Sequence, residues 1–283
     1  MTDDAALPPV RWWQWPTILS LDAPVVAVVW QEQFARVAQV QLHGWHRLLL
    51  ALSVWLIYAA DRWIEGHRLT PEKVKTHRHR FYMRHRKAVL ITGLLIATTG
   101  LATAAATLTA REWIAGLAGC LTVSTYLLSH QWLHRHHPRR VPKEICVGLL
   151  FAGGCALAPA LRPGAAGIAL APVALLFALL AGLNCVLISA WERQIDRSHG
   201  QTSLALKHHQ TRDLGRRLAW MLIPLGAILG LLDGGAAREA FFCIALGGGL
   251  LGVVDQLEPR IGRRAARVLA DAVLLTPLMA FVL

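Results

Sequence analysis

Charge is scarce in this chain of 283 residues: Asp, Glu, Lys and Arg make up 16% of it, against 55% hydrophobic residues. That balance excludes an ordinary soluble domain, a fibrous chain and a disordered one. Cysteine is scarcer still. The five, Cys120, Cys146, Cys155, Cys185 and Cys243, stand singly in apolar stretches without CxxC spacing. This argues against a disulfide framework or a zinc site and for small apolar residues kept reduced. Acidic residues number 17 against 29 Lys and Arg, for a formal net charge of +12. Two of the acids, Asp3 and Asp4, lie where a secretory signal carries positive charge, and no small-residue cleavage site follows, so no processed leader is expected.

What is present is long apolar sequence. Ala88–Thr107 and Pro172–Ile188 hold no Asp, Glu, Lys or Arg, while the segments between such runs are crowded with Arg and His. Hydropathy and helix breakers place nine transmembrane helices over residues 17–42, 44–64, 87–108, 111–133, 143–161, 165–192, 214–232, 237–257 and 264–282. The expected class is an all-α integral membrane protein with residues 1–283 as one polytopic domain. Of the 29 Lys and Arg, only Arg36, Arg47, Arg111, Arg162 and Arg238 fall on the side away from the N-terminus. The asymmetry puts the N-terminal segment 1–16 in the cytoplasm, together with loops at about 66–86, 134–142, 193–213 and 258–263. Positive charge beside a bilayer is suited to anionic headgroups or phosphorylated substrates, and no nucleic-acid partner is expected.

Two short motifs carry chemistry. Asp61-Arg62-Trp63-Ile64-Glu65 closes the second span and Glu192-Arg193-Gln194-Ile195-Asp196 the sixth, both reading Asp/Glu-Arg-x-Ile-Asp/Glu. A spacing of four puts both carboxylates of each motif on one helix face. Both motifs emerge on the cytoplasmic side, so they can face each other across one cavity. Four converging carboxylates repel one another unless something positive lies between them, and oxygen-only ligands suit Mg²⁺ bridging to a substrate phosphate. Either pair alone is compatible with an ordinary solvated helix end; the duplication favours one shared site.

These residues resemble the UbiA superfamily of intramembrane prenyltransferases, which has nine helices and two Asp-rich motifs, N-D-x-x-D-x-x-x-D and D-x-x-x-D. The stretch from Ile57 to His67 is similar to the first, and Ser189 to Asp196, running on to Ala205, to the second. Asp22-Ala23-Pro24 is similar to the family's D-K-P, and the stretch Tyr126 to His130 to its Y-x-x-x-K. The resemblance implies a UbiA-like helical bundle with a central cavity opening near the cytoplasmic side. It also implies transfer of a polyisoprenyl group from an allylic diphosphate to a small or lipidic acceptor. By the same resemblance Asp61, Glu65, Glu192 and Asp196 are the catalytic, Mg²⁺-holding residues. Arg62, Arg78, Arg80 and Arg193 are possible diphosphate clamps, and Tyr58, Tyr126 and His130 stand on the substrate side. Trp63 and Trp191 are placed to stabilise an allylic cation or to anchor at the interface, and Asp22 and Asn184 to line a cavity. Ile57 and Tyr58 stand where Asn and Asp are expected, Glu replaces Asp at 65 and 192, and the family's basic residues become Ala23, His130 and Thr202. These departures leave open a terpene cyclase and a non-catalytic isoprenoid-binding protein.

Thirteen His raise a rival, a di-iron membrane oxygenase. His130 and His134 fit one HxxxH box, but His134-Arg135-His136-His137 is one residue short of HxxHH, and His77, His79 and His85 match neither spacing. Their Arg neighbours would also oppose a bound cation.

Overall fold

Helices are the only regular structure among the described residues, which are 9–68, 74–129, 142–199 and 203–281 of the computed structural model. In chain order they are α1 (Trp15–Ile18), α2 (Asp22–Val37), α3 (Gly44–Arg68), α4 (His77–Arg84), α5 (Arg86–Thr107), α6 (Ala110–Leu128), α7 (Lys143–Leu161), α8 (Gly167–Trp191), α9 (Arg193–Ser198), α10 (Leu204–Lys207), α11 (Thr211–Leu232), α12 (Arg238–Ile261) and α13 (Arg263–Val273). Short 3₁₀ turns precede α1 and follow α13. Among the described residues α5, α7, α8, α11 and α12 are long and apolar enough to cross a membrane. The protein is an integral membrane protein. At the other four expected positions α2, α3, α6 and α13 are shorter or more polar.

Local chemistry explains the boundaries and several departures from the sequence expectation. The first expected span, 17–42, is broken: α1 stops and Ser20 turns the chain with a positive φ of 56°, before Asp22 opens α2 by accepting the Ala23 N–H at 2.9 Å. The expected loop 66–86 contains α4, whose N-cap Thr76 accepts the His79 N–H and whose Arg78, His79 and Tyr82 are buried. The loop 193–213 contains α9 and α10, and the loop expected at 258–263 is largely absent because α12 runs on to Ile261. Of the expected 134–142 loop only Pro142 lies within the described residues. At the start of α6, Thr109 and Glu112 form a capping box.

The packed core joins α2, α7, α8, α11, α12 and α13. Trp30 stacks on Phe177 with ring centroids 3.9 Å apart and donates its indole N–H to the Leu274 carbonyl at 2.7 Å, tying α2 to α8 and to the chain after α13. Helix α7 lies so close to α8 that a methyl at Gly148 would collide with the Ala178 carbonyl, and a methyl at Gly248 of α12 would come within 2.6 Å of the Ala219 carbonyl of α11. By contrast, α5 buries only Ala104, and α6 buries none of its residues. These two helices form a thin wall with lipid-type side chains outside and a cavity within.

Candidate active site

That cavity has a volume of about 1240 Å³ and lies between α2, α3, α5, α6, α7, α8 and α13. Its walls are largely apolar, with Leu49, Leu52, Leu56, Leu101, Leu117 and Leu150 among them. Its two ends are polar. At one end Gln31, His46, Glu112 and Trp113 meet; at the other lie Asp61 and Glu65 of the first motif and Glu192 and Asp196 of the second. The i,i+4 spacing and the placement of the motifs at the ends of α3 and α8 deliver all four carboxylates to one chamber.

Guanidinium groups lie between the carboxylates. One oxygen of Glu192 accepts from Arg78 Nη2 at 3.0 Å and from Arg267 Nη1 at 2.8 Å. One oxygen of Glu65 accepts from Arg62 Nη1 at 3.3 Å and from His79 Nε2 at 3.0 Å. His79 is in turn 2.6 Å from the Thr76 hydroxyl through Nδ1, so the ring needs one proton only, on Nε2. Burial pushes its pKa down to about 4 and keeps it neutral, despite the opposing bond to Glu65. Burial, followed by repulsion from Arg267 and Arg62, pulls Arg78 down to about 10. Asp196 is buried and one of its oxygens has no hydrogen-bond partner; desolvation raises its pKa, against the field of Lys143. Asp61 lines the chamber within the field of Arg62.

Of the remaining expected residues, Tyr58 and Tyr126 line the cavity, as do Asp22 and Asn184. Arg78 does too, but Arg80 is exposed. Two residues apart on a helix point to nearly opposite sides, so α4 can present only one of them. Arg193 lies outside the cavity and donates to His209 Nδ1 at 3.2 Å. His130, with the His130–His134 box and His134 to His137, lies outside the described residues. The cation-stabilising role expected of Trp63 and Trp191 is corrected, because neither ring lines the cavity. Trp63 donates to the Arg86 carbonyl at 3.3 Å, and Trp191, buried, to Asp255 Oδ1 at 2.7 Å.

Three site residues escaped the sequence expectation: Arg267, Asp271 and His79. Arg267 and Asp271 belong to neither motif, yet both line the cavity and sit inside the expected span 264–282, where an ionisable residue is a signal in itself. His79 was weighed only as an iron ligand.

The donor set does not fit the Mg²⁺ that the motifs imply. Among the described residues no group of three His, Cys, Asp or Glu converges closely enough to hold a metal ion. Glu65 and Glu192 each commit an oxygen to two nitrogen donors.

No family model and no curated protein sequence matches this chain. Among solved structures, the apo structure of a UbiA homolog from Aeropyrum pernix K1 is similar, with a TM-score of 0.60 and 16% identity over 97% of this chain and 100% of that one. At that identity the likeness shows the fold alone: this chain shares the fold of that UbiA homolog.

Proposed function

We propose that this protein is a UbiA-like membrane enzyme that binds a polyisoprenyl diphosphate in its central cavity and transfers the prenyl group to a small or lipidic acceptor. The observation that carries this is the chamber itself: about 1240 Å³, apolar along its length, and ending in the carboxylates of both motifs interleaved with Arg62, Arg78 and Arg267. Its volume exceeds the roughly 300–1,000 Å³ of ordinary small-ligand pockets, which suits a long tail. Nine spans, with the N-terminus and the motif end on the cytoplasmic side, complete the reading, supported by the asymmetry of Lys and Arg.

In this reading the diphosphate sits at the motif end and the tail runs between the leucines toward Gln31 and His46. The guanidinium groups stabilise negative charge as the carbon–oxygen bond breaks and its electron pair leaves with the diphosphate. The apolar walls keep water from the allylic cation until the acceptor attacks. Asp61, Glu65, Glu192 and Asp196 are the positions through which Mg²⁺ acts in the pattern this chain resembles, but with Glu65 and Glu192 held by nitrogen donors no step is routed through a metal.

The test is product analysis. Purified protein in detergent, with and without Mg²⁺, is given labelled allylic diphosphates from C10 upward and a lipid extract as acceptor source, and products are separated by mass. Alkylated acceptor is expected. A cyclised hydrocarbon would move the assignment to a terpene cyclase, and substrate bound but unchanged would make the protein an isoprenoid carrier. The carrier reading has its own observation: Tyr58 occupies a position on the Asp61 face where the resembling motif has a carboxylate.

A further inference from the structure

We propose that in this chain guanidinium groups do the work that metal ions do in the motif pattern, so that Arg62, Arg78 and Arg267 bind the diphosphate without a divalent cation. The inference rests on the diphosphate-binding reading above and narrows it to one electrostatic solution.

Three observations converge. First, two guanidinium groups that line the cavity share a single carboxylate oxygen, that of Glu192, at 3.0 and 2.8 Å, so this oxygen is divided between two cations. Second, the forks are incompletely used. Buried Nε and Nη1 of Arg78 and Nε of Arg267 have no hydrogen-bond partner, and both residues line the chamber. A buried donor without an acceptor is costly, whereas an anionic oxygen satisfies it with a charge-assisted bond. The side chains of Arg78 and Arg267 are only 10% and 17% exposed, so water competes weakly for these donors. Third, two of the four motif carboxylates are engaged by nitrogen donors: Glu192 by Arg78 and Arg267, Glu65 by Arg62 and neutral His79. Repulsion from Arg267 and Arg62 acting on Arg78 is what an incoming multiply charged anion relieves.

Glu192 then has a role opposite to that of a metal ligand. It holds Arg78 and Arg267 in place while the site is empty and competes with the diphosphate for them. As a metal ligand it would strengthen diphosphate binding; as an occupant of the clamp it weakens it.

The experiment measures binding of a C15 allylic diphosphate to the full-length protein in detergent, in excess EDTA and in Mg²⁺, with the C15 alcohol as a probe of the apolar chamber alone. The inference expects affinities in EDTA and Mg²⁺ to agree within about threefold. Arg78→Gln and Arg267→Gln should each lower diphosphate affinity in EDTA about tenfold or more while leaving the alcohol unaffected, and Arg78→Lys should fall between, having charge but no fork. Glu192→Gln should tighten binding in EDTA. Because removing a charge from a buried cluster can unfold a protein, alcohol binding serves as the folding control, and the EDTA comparison on unaltered protein stands without any variant. Binding that appears only with Mg²⁺, or a loss on Glu192→Gln with alcohol binding intact, overturns the inference and leaves the proposed function standing. Binding of the alcohol but of no diphosphate under either condition overturns the proposed function itself.

Discussion

Single side chains at the motif end set two measurable behaviours. His79 is neutral in the fold down to about pH 4, whereas in an unfolded chain a histidine protonates near 6.5. Between those values the unfolded state binds the additional proton, so the contribution is complete above about pH 6.5 and is lost as pH falls toward 4, with a ceiling of roughly 3 kcal/mol. Melting midpoints in detergent should therefore drop over that window, and His79→Gln, which retains a donor toward Glu65, should flatten the slope. An equal slope in the variant would assign the acid sensitivity elsewhere. Tyr58 gives the second. An Asp at this position joins Asp61 on one helix face and restores the carboxylate that the resembling motif carries. Tyr58→Asp should weaken diphosphate binding in EDTA by charge repulsion and introduce a Mg²⁺-dependent component; titrating Mg²⁺ against a fluorescent isoprenyl diphosphate reads both. Identical curves for wild type and variant would remove this helix face from the site.

Among the helices, the end of α8 is held from behind. Asp255 of α12, 1% exposed, accepts the Trp191 indole N–H at 2.7 Å and Arg212 Nε at 2.8 Å, while Arg216 Nε lies 2.9 Å from its other oxygen in a contact too oblique for a hydrogen bond. Trp191 immediately precedes Glu192, so this network fixes where α8 delivers its motif. Asp255→Asn removes the buried counter-charge of Arg212 and Arg216, whose side chains are 34% and 35% exposed and keep Glu258 and Asp213 as partners; a loss of about 1–3 kcal/mol is expected, read as a lowered melting midpoint, with weaker diphosphate binding beside it. A change under 1 kcal/mol would show that α8 is held by apolar packing alone. Element positions were largely legible because a hydrophobic stretch of eighteen or more residues has few other readings. What was not legible has physical causes. The segment of α4, with five Arg and His among its eight residues, reads as loop until burial of Arg78 and His79 is seen, and only its cap, Thr76, marks it as helix. The motif carboxylates were found by their spacing. That arginines lie between them was not, because Arg267 arrives from a helix more than seventy residues further along the chain.

For the molecule as a whole, the charge asymmetry makes a prediction independent of any ligand. On a cysteine-free background, single cysteines at Lys75 and His209 should react with an impermeant reagent only from the cytoplasmic side, and one at Asp233 only from the other side. Opposite labelling of Lys75 and His209 would place the two motifs on different faces of the membrane and end the shared chamber.

The order of synthesis is a further matter at this scale, and α2 decides it. This helix has 16 residues, opens on Asp22 and buries Gln31 and Gln33, the latter with neither amide atom hydrogen bonded. Such a segment gains little by entering lipid alone, since its polar groups need the α3, α7 and α8 surroundings to be sheltered. Helix α2 is thus expected to seat late, once Phe177 is available to stack on Trp30. In ribosome-bound nascent chains on membrane vesicles, a cysteine at Val40 should fail to reach the far side when the chain ends after α3 and reach it once α8 has emerged. Arrival at the shorter length would mean that α2 inserts unaided.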